Sequence, residues 1–125
     1  MTKEFKSPAK RHSIRSVTQK SVAKNKNTVI EPRINVSDDV AKINAGEAYK
    51  IGDKFIVNDR TYGFHNGTLY PISGPGFHTL DRGAYKALGV FNKFGNSQQA
   101  RSILKNMEIG NEQIEEALNL WRLGQ

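Results

Sequence analysis

Residues 54–72 read Lys-Phe-Ile-Val-Asn-Asp-Arg-Thr-Tyr-Gly-Phe-His-Asn-Gly-Thr-Leu-Tyr-Pro-Ile, and this stretch decides the fold class. Lys54 to Val57 is rich in β-formers, Asn58-Asp59 is a turn pair, and Arg60 to His65 returns. Asn66-Gly67 then supplies the left-handed backbone of a type I′ turn, and Thr68 to Ile72 follows. The pattern predicts an antiparallel meander of about three strands. Two-residue turns fix the register, setting Phe55 opposite Tyr62, Tyr62 opposite Pro71, Phe64 opposite Leu69 and His65 opposite Thr68. Alternation then puts Phe55, Val57, Tyr62, Phe64, Leu69 and Pro71 on a core face. Lys54, Ile56, Thr61, Gly63, His65, Thr68, Tyr70 and Ile72 fall on a mixed one. Pro71 lacks an N–H and marks an edge strand.

Downstream, Ser73-Gly74-Pro75-Gly76 interrupts the sheet and Thr79 is placed to cap a long helix. Leu80, Ala84, Ala87, Leu88, Phe91 and Phe94 recur at helical spacing before Gly95. A second helix opens at Asn96 or Ser97, with Ala100, Ile103, Leu104 and Met107 on one stripe. A third runs from Asn111 with Ile114, Ala117, Leu118 and Trp121 inward. Upstream, Ser37 or Asp38 caps a short helix that Gly46 stops. The expectation is an α+β domain over residues 37–125, a small meander packed with three C-terminal helices.

Residues 1–33 carry nine basic side chains against Glu4 and Glu31, a net +7 that is the whole excess of the 125-residue chain, while residues 34–125 balance ten against ten. Large apolar residues there are scattered among Ser, Thr, Asn, Gln and Lys. Residues 1–36 therefore read as a disordered basic tail, with Lys10, Arg11 and Arg15 as nucleic-acid contacts through counterion release. The chain has no cysteine, which removes disulfides, thiol catalysis and Cys-based metal centres. No apolar run spans a bilayer, and no secretory h-region follows the first charges. His65, His78, Asp59 and Asp81 show no ligand spacing, so neither a metal nor another cofactor is expected.

The chemistry-bearing cluster is His65 and His78 with Arg60, Arg82, Lys86, Tyr70 and Thr79. Two imidazoles can divide the base and acid roles of phosphodiester transesterification. Arg60, Arg82 and Lys86 would hold phosphate, with Tyr70 and Thr79 positioning the substrate. On RNA the 2′-hydroxyl is the nucleophile, so no metal is required.

The run Gly67-Thr68-Leu69-Tyr70-Pro71-Ile72-Ser73-Gly74-Pro75-Gly76-Phe77, then Leu80, Arg82, Tyr85, Ala87-Leu88-Gly89 and Phe91-Asn92-Lys93-Phe94-Gly95, resembles compact C-terminal effector modules of bacterial polymorphic or contact-dependent toxin systems. The likeness covers about residues 49–123. It implies a metal-independent ribonuclease using His, Arg, Thr and Tyr, and a basic leader left from a linker to a delivery portion. It also implies an immunity or antitoxin partner, and action in the cytoplasm, in its own cell or in a target cell. The alternative is a non-catalytic nucleic-acid-binding or protein-interaction module, in which the basic tail supplies phosphate affinity. A scaffold or immunity-type protein whose helical face docks a partner is a third reading.

Overall fold

The computed structural model describes residues 4–125. Over these residues the chain is α+β, with four α-helices and two antiparallel sheets. A two-stranded ribbon pairs β1 (Asn27–Ile30) with β6 (Phe77–Leu80), and a four-stranded sheet runs β2 (Tyr49–Ile51), β3 (Lys54–Val57), β4 (Arg60–His65), β5 (Thr68–Ser73) in order. The sheet thus has one strand more than the three-stranded meander of the sequence reading, because Tyr49–Ile51 pairs with Lys54–Ile56 across the turn at Gly52-Asp53.

Within residues 54–73 the register follows from the turns. Asn58, Asp59, Asn66 and Gly67 all have positive φ, as type I′ turns require. Phe55 faces Tyr62, Phe64 faces Leu69, His65 faces Thr68 and Tyr62 faces Pro71. A bulge between Thr61 and Tyr62 sets Thr61 opposite Ser73. β5 lies at the sheet edge, where Pro71 costs no ladder bond.

Helix α1 (Val36–Asn44) is capped by Asn35, whose side chain accepts from the Asp38 N–H. It ends at Gly46 (φ +77°), where the Gly46 and Glu47 N–H groups donate to Ile43 and Lys42 carbonyls. Val40 and Ile43 of α1 join Phe55, Val57, Tyr62 and Leu69 in one core. Helices α2 (Arg82–Phe94), α3 (Gln98–Asn106) and α4 (Asn111–Leu123) build a second, with Tyr85, Leu88, Phe91, Leu104 and Leu118 inside. Asp81, rather than Thr79, caps α2, its carboxylate accepting from the Ala84 N–H at 2.8 Å. The reason is strand pairing: β6 continues through Leu80 because Asn27 and Thr28 bond to it.

The largest departure concerns residues 4–36. In place of a disordered tail they form an arm of two 3₁₀ turns (Lys10–His12 and Ile14–Ser16), strand β1 and the start of α1. Ile14, Val17 and Val29 are fully buried in the helical core, and Phe5 packs against Phe55 and Phe64 of the sheet. Burying a large aliphatic side chain is worth about 1.5–3 kcal/mol, so these anchors act against the ordering entropy together with the β1–β6 pairing and the long-range hydrogen bonds of the arm. Asn92 donates to the carbonyls of Ile14 and Val17, both at 2.8 Å. Residues 18–19 cross α2 at Gly89, where a Cβ would sit 2.6 Å from the Thr18 carbonyl carbon. No helix among the described residues is long and apolar enough to cross a membrane.

Candidate active site

Strand alternation builds the site. The mixed face of the meander presents His65, Tyr70 and Ile72, and the ribbon turns Thr28 and Thr79 toward the same space. The arm closes it with Arg11, His12, Lys24 and Lys26, leaving a cleft of about 840 Å³. Three fixed cations border it against one carboxylate, Asp53, so the cleft is suited to an anion. Thr28 and Thr79, a cross-strand pair, share a hydrogen bond at 3.0 Å. That bond uses one hydroxyl proton of the two and leaves the other for a ligand.

His12 is the best-held group on the wall. The Tyr85 hydroxyl donates to the Arg11 carbonyl at 2.6 Å, and the His12 N–H donates to the Ala9 carbonyl, so α2 and the first 3₁₀ turn fix the backbone on both sides. The imidazole, 7% exposed, has its Nδ1 2.8 Å from the Thr28 carbonyl oxygen. A carbonyl only accepts, so Nδ1 carries the proton and Nε2 of the neutral ring is an acceptor. Every buried side-chain polar atom among the described residues has a partner, so Nε2, which has none there, reaches solvent. Burial, and then the nearby charges of Arg11 and Lys24, push His12 below the ordinary histidine value, against the opposing pull of the Thr28 carbonyl. Neutral at physiological pH with a bare Nε2, it is arranged as a general base.

Four residues named from sequence border this cleft: His65, Tyr70, Thr79 and Arg11. The other six lie elsewhere. His78 is adjacent to Thr79 on β6 and so points to the opposite ribbon face, where it borders a separate hollow with Glu116, Asn119 and Leu120 of α4. Its Nε2 lies 2.8 Å from Glu31, and this contact, aided by Arg33, holds the Glu31 carboxyl below its ordinary range. The imidazoles of His65 and His78 therefore do not share a cleft. Arg60 shares parity with Tyr62 and faces inward, where it grips fully buried Asp39 through Nε at 2.7 Å and Nη2 at 2.8 Å. Arg82 and Lys86 border another hollow with Met107 and Glu108. The Arg15 guanidinium donates to the Gly124 carbonyl, and Lys10 borders a small apolar pocket of about 290 Å³.

His12, Lys24, Lys26 and Thr28 are site residues that the sequence reading passes over, because it assigns them to a tail. One signal was present: Thr28-Val29-Ile30 is a run of β-branched residues. A second was Gly89 inside an amphipathic helix, which costs about 1 kcal/mol relative to Ala unless a close approach requires it. Among the described residues no group of three or more His, Asp and Glu side chains is placed to hold a metal ion. Compared with protein-family models, curated proteins and solved structures, the chain matches none.

Proposed function

We propose that the protein is a metal-independent ribonuclease of the effector type, working in the cleft between the arm and the meander. One observation carries this reading: two imidazoles, His12 and His65, border one cleft together with Arg11, Lys24 and Lys26. His12, rather than His78, shares this cleft with His65. The Nε2 of His12 removes the proton of an RNA 2′-hydroxyl, whose oxygen attacks the adjacent phosphorus. The bond from phosphorus to the 5′-oxygen breaks as His65 donates a proton to that oxygen. The products are a 2′,3′-cyclic phosphate and a 5′-hydroxyl. The cations and the spare proton of the Thr28–Thr79 hydroxyl pair meet the charge gathering on the phosphoryl oxygens. A neutralising immunity partner of such a module would present an acidic face to this cleft.

The test is cleavage of a single-stranded RNA, with a DNA of the same sequence as control, by His12→Asn, His65→Ala and His78→Ala. The first two are expected to lose at least about 100-fold in rate, the lower end of what a positioned acid or base contributes. His78→Ala should retain activity, and thermal unfolding reports whether each variant is folded. Full activity in folded His12→Asn or His65→Ala removes the proposal. RNA binding without turnover in the unaltered protein favours a non-catalytic nucleic-acid-binding module.

A further inference from the structure

Tyr70 borders the cleft from the open face of the meander, and its surroundings are unusual. It stands on β5 directly opposite Gly63 of β4. A Cβ at Gly63 would lie 2.4 Å from the Tyr70 Cζ and 2.8 Å from its Cε2, so the ring lies over the bare backbone of its cross-strand partner. The residue is 38% exposed, and its hydroxyl has no hydrogen-bond partner among the described residues. The ring is therefore supported from below by main chain and open above. His65 shares the face of Gly63 and is the diagonal neighbour of Tyr70, with a backbone separation on the order of 7–8 Å.

An aromatic face in a cleft bordered by cations is the combination that holds single-stranded nucleic acid. The cations follow the backbone and the ring accepts an unpaired base. A duplex cannot use it, because its base faces are already stacked on one another and its grooves display only edges. Building on the ribonuclease reading, we infer that the cleft takes single-stranded RNA, with the base beside the reacting phosphate stacked on Tyr70. Gly63 is part of this device, since any side chain there would lift the ring. Stacking reads no base edges, so Tyr70 selects for an unpaired strand and only weakly for its sequence.

The experiment measures binding of a fluorescent single-stranded oligonucleotide with 2′-O-methyl groups, which cannot be cleaved, by fluorescence anisotropy at fixed salt. Tyr70→Phe should bind within about twofold of the unaltered chain. Tyr70→Ala should bind about 5-fold to 150-fold more weakly, the size of one lost base–aromatic stack. Gly63→Ala should weaken binding in the same direction. The three atoms nearest its methyl all belong to the movable end of the Tyr70 side chain, so the fold is expected to be kept. The same sequence annealed into a duplex should bind more weakly than the single strand. Equal binding by Tyr70→Ala, duplex affinity matching that of the single strand, or no binding to the unaltered chain would overturn the inference. Tyr70-dependent binding in a protein that cleaves no RNA would overturn the ribonuclease reading instead and leave the platform standing.

Discussion

The meander of residues 54–73 and the arm of residues 4–35 are both ordered, yet they are ordered by opposite means. In the meander each strand pairs with its sequence neighbour through a two-residue turn, and the residue types at those turns name the geometry. In the arm, many of the bonds that hold the chain are long-range, as in the β1–β6 ladder, and three of them reach 74 to 109 positions away, from Tyr85 to Arg11, Asn92 to Ile14 and Arg15 to Gly124. No local pattern can report such contacts, because what orders the segment is a surface assembled elsewhere. Low apolar content argued for disorder on average. It failed because Ile14, Val17 and Val29 each reach a fully buried position in the helical core.

The largest effect expected from this contrast is that of deleting residues 1–33. The deletion removes those three core residues and strand β1, leaving β6 without a partner. We expect residues 34–125 to lose cooperative thermal unfolding and near-ultraviolet circular dichroism. A shortened chain that melts sharply near the temperature of the full one would return the arm to the status of a tail.

That contrast also explains how much of the site was legible. His65 and Tyr70 could be read because alternation within the meander sets them on the open face. The inward turn of Arg60 was equally readable, since it shares parity with Tyr62 and Phe64, but its partner Asp39 lies on α1. The opposite pointing of His78 and Thr79 required knowing that β6 is a strand, which depends on β1. His12 depended on the arm altogether.

A second effect tests the long-range bond that the meander itself makes. Asp39 is fully buried and accepts from Asn58 at 2.7 Å, from Arg60 and from the Tyr62 hydroxyl at 2.5 Å. Burial raises its pKa, but the hydrogen bonds from Arg60, Tyr62 and Asn58 outweigh burial and leave it below the ordinary aspartate value. A depressed carboxylate contributes stability that is present above its unfolded value of 3.8 and is lost as pH falls through the lower folded value. Asp39→Asn leaves the Arg60 charge uncompensated, and a loss of about 3 kcal/mol is expected at neutral pH. The difference from the unaltered chain should shrink below pH 3.8, measured by urea unfolding across pH.

Gly89→Ala probes the arm with a single methyl. Helix propensity alone predicts a gain of about 1 kcal/mol. The Thr18 backbone at 2.6 Å allows no such methyl, so the arm must shift from α2. We expect a net loss of about 1–2 kcal/mol in urea unfolding, the overpacking cost exceeding the propensity gain. Because the arm carries His12, the RNA cleavage proposed for the cleft should fall as well. A stabilised variant would show that the arm does not rest on Gly89.

The smallest effect belongs to the meander's own turns. Asn66 has φ +51° and precedes Gly67 at φ +78°. Alanine tolerates the left-handed region less well than Asn, at a cost of about 1 kcal/mol. Register should nevertheless hold in Asn66→Ala, because a one-residue slip would carry Phe64 and Leu69 from the core to the open face. The strand pairs on either side of the turn are set by alternation as well as by the turn, so the damage stays local. His65 and Thr68 flank the turn, and cleavage should change little if the ladder between them is kept. A loss greater than that of Gly89→Ala would reverse the ordering. The meander would then depend on one turn more than the arm depends on its crossing of α2.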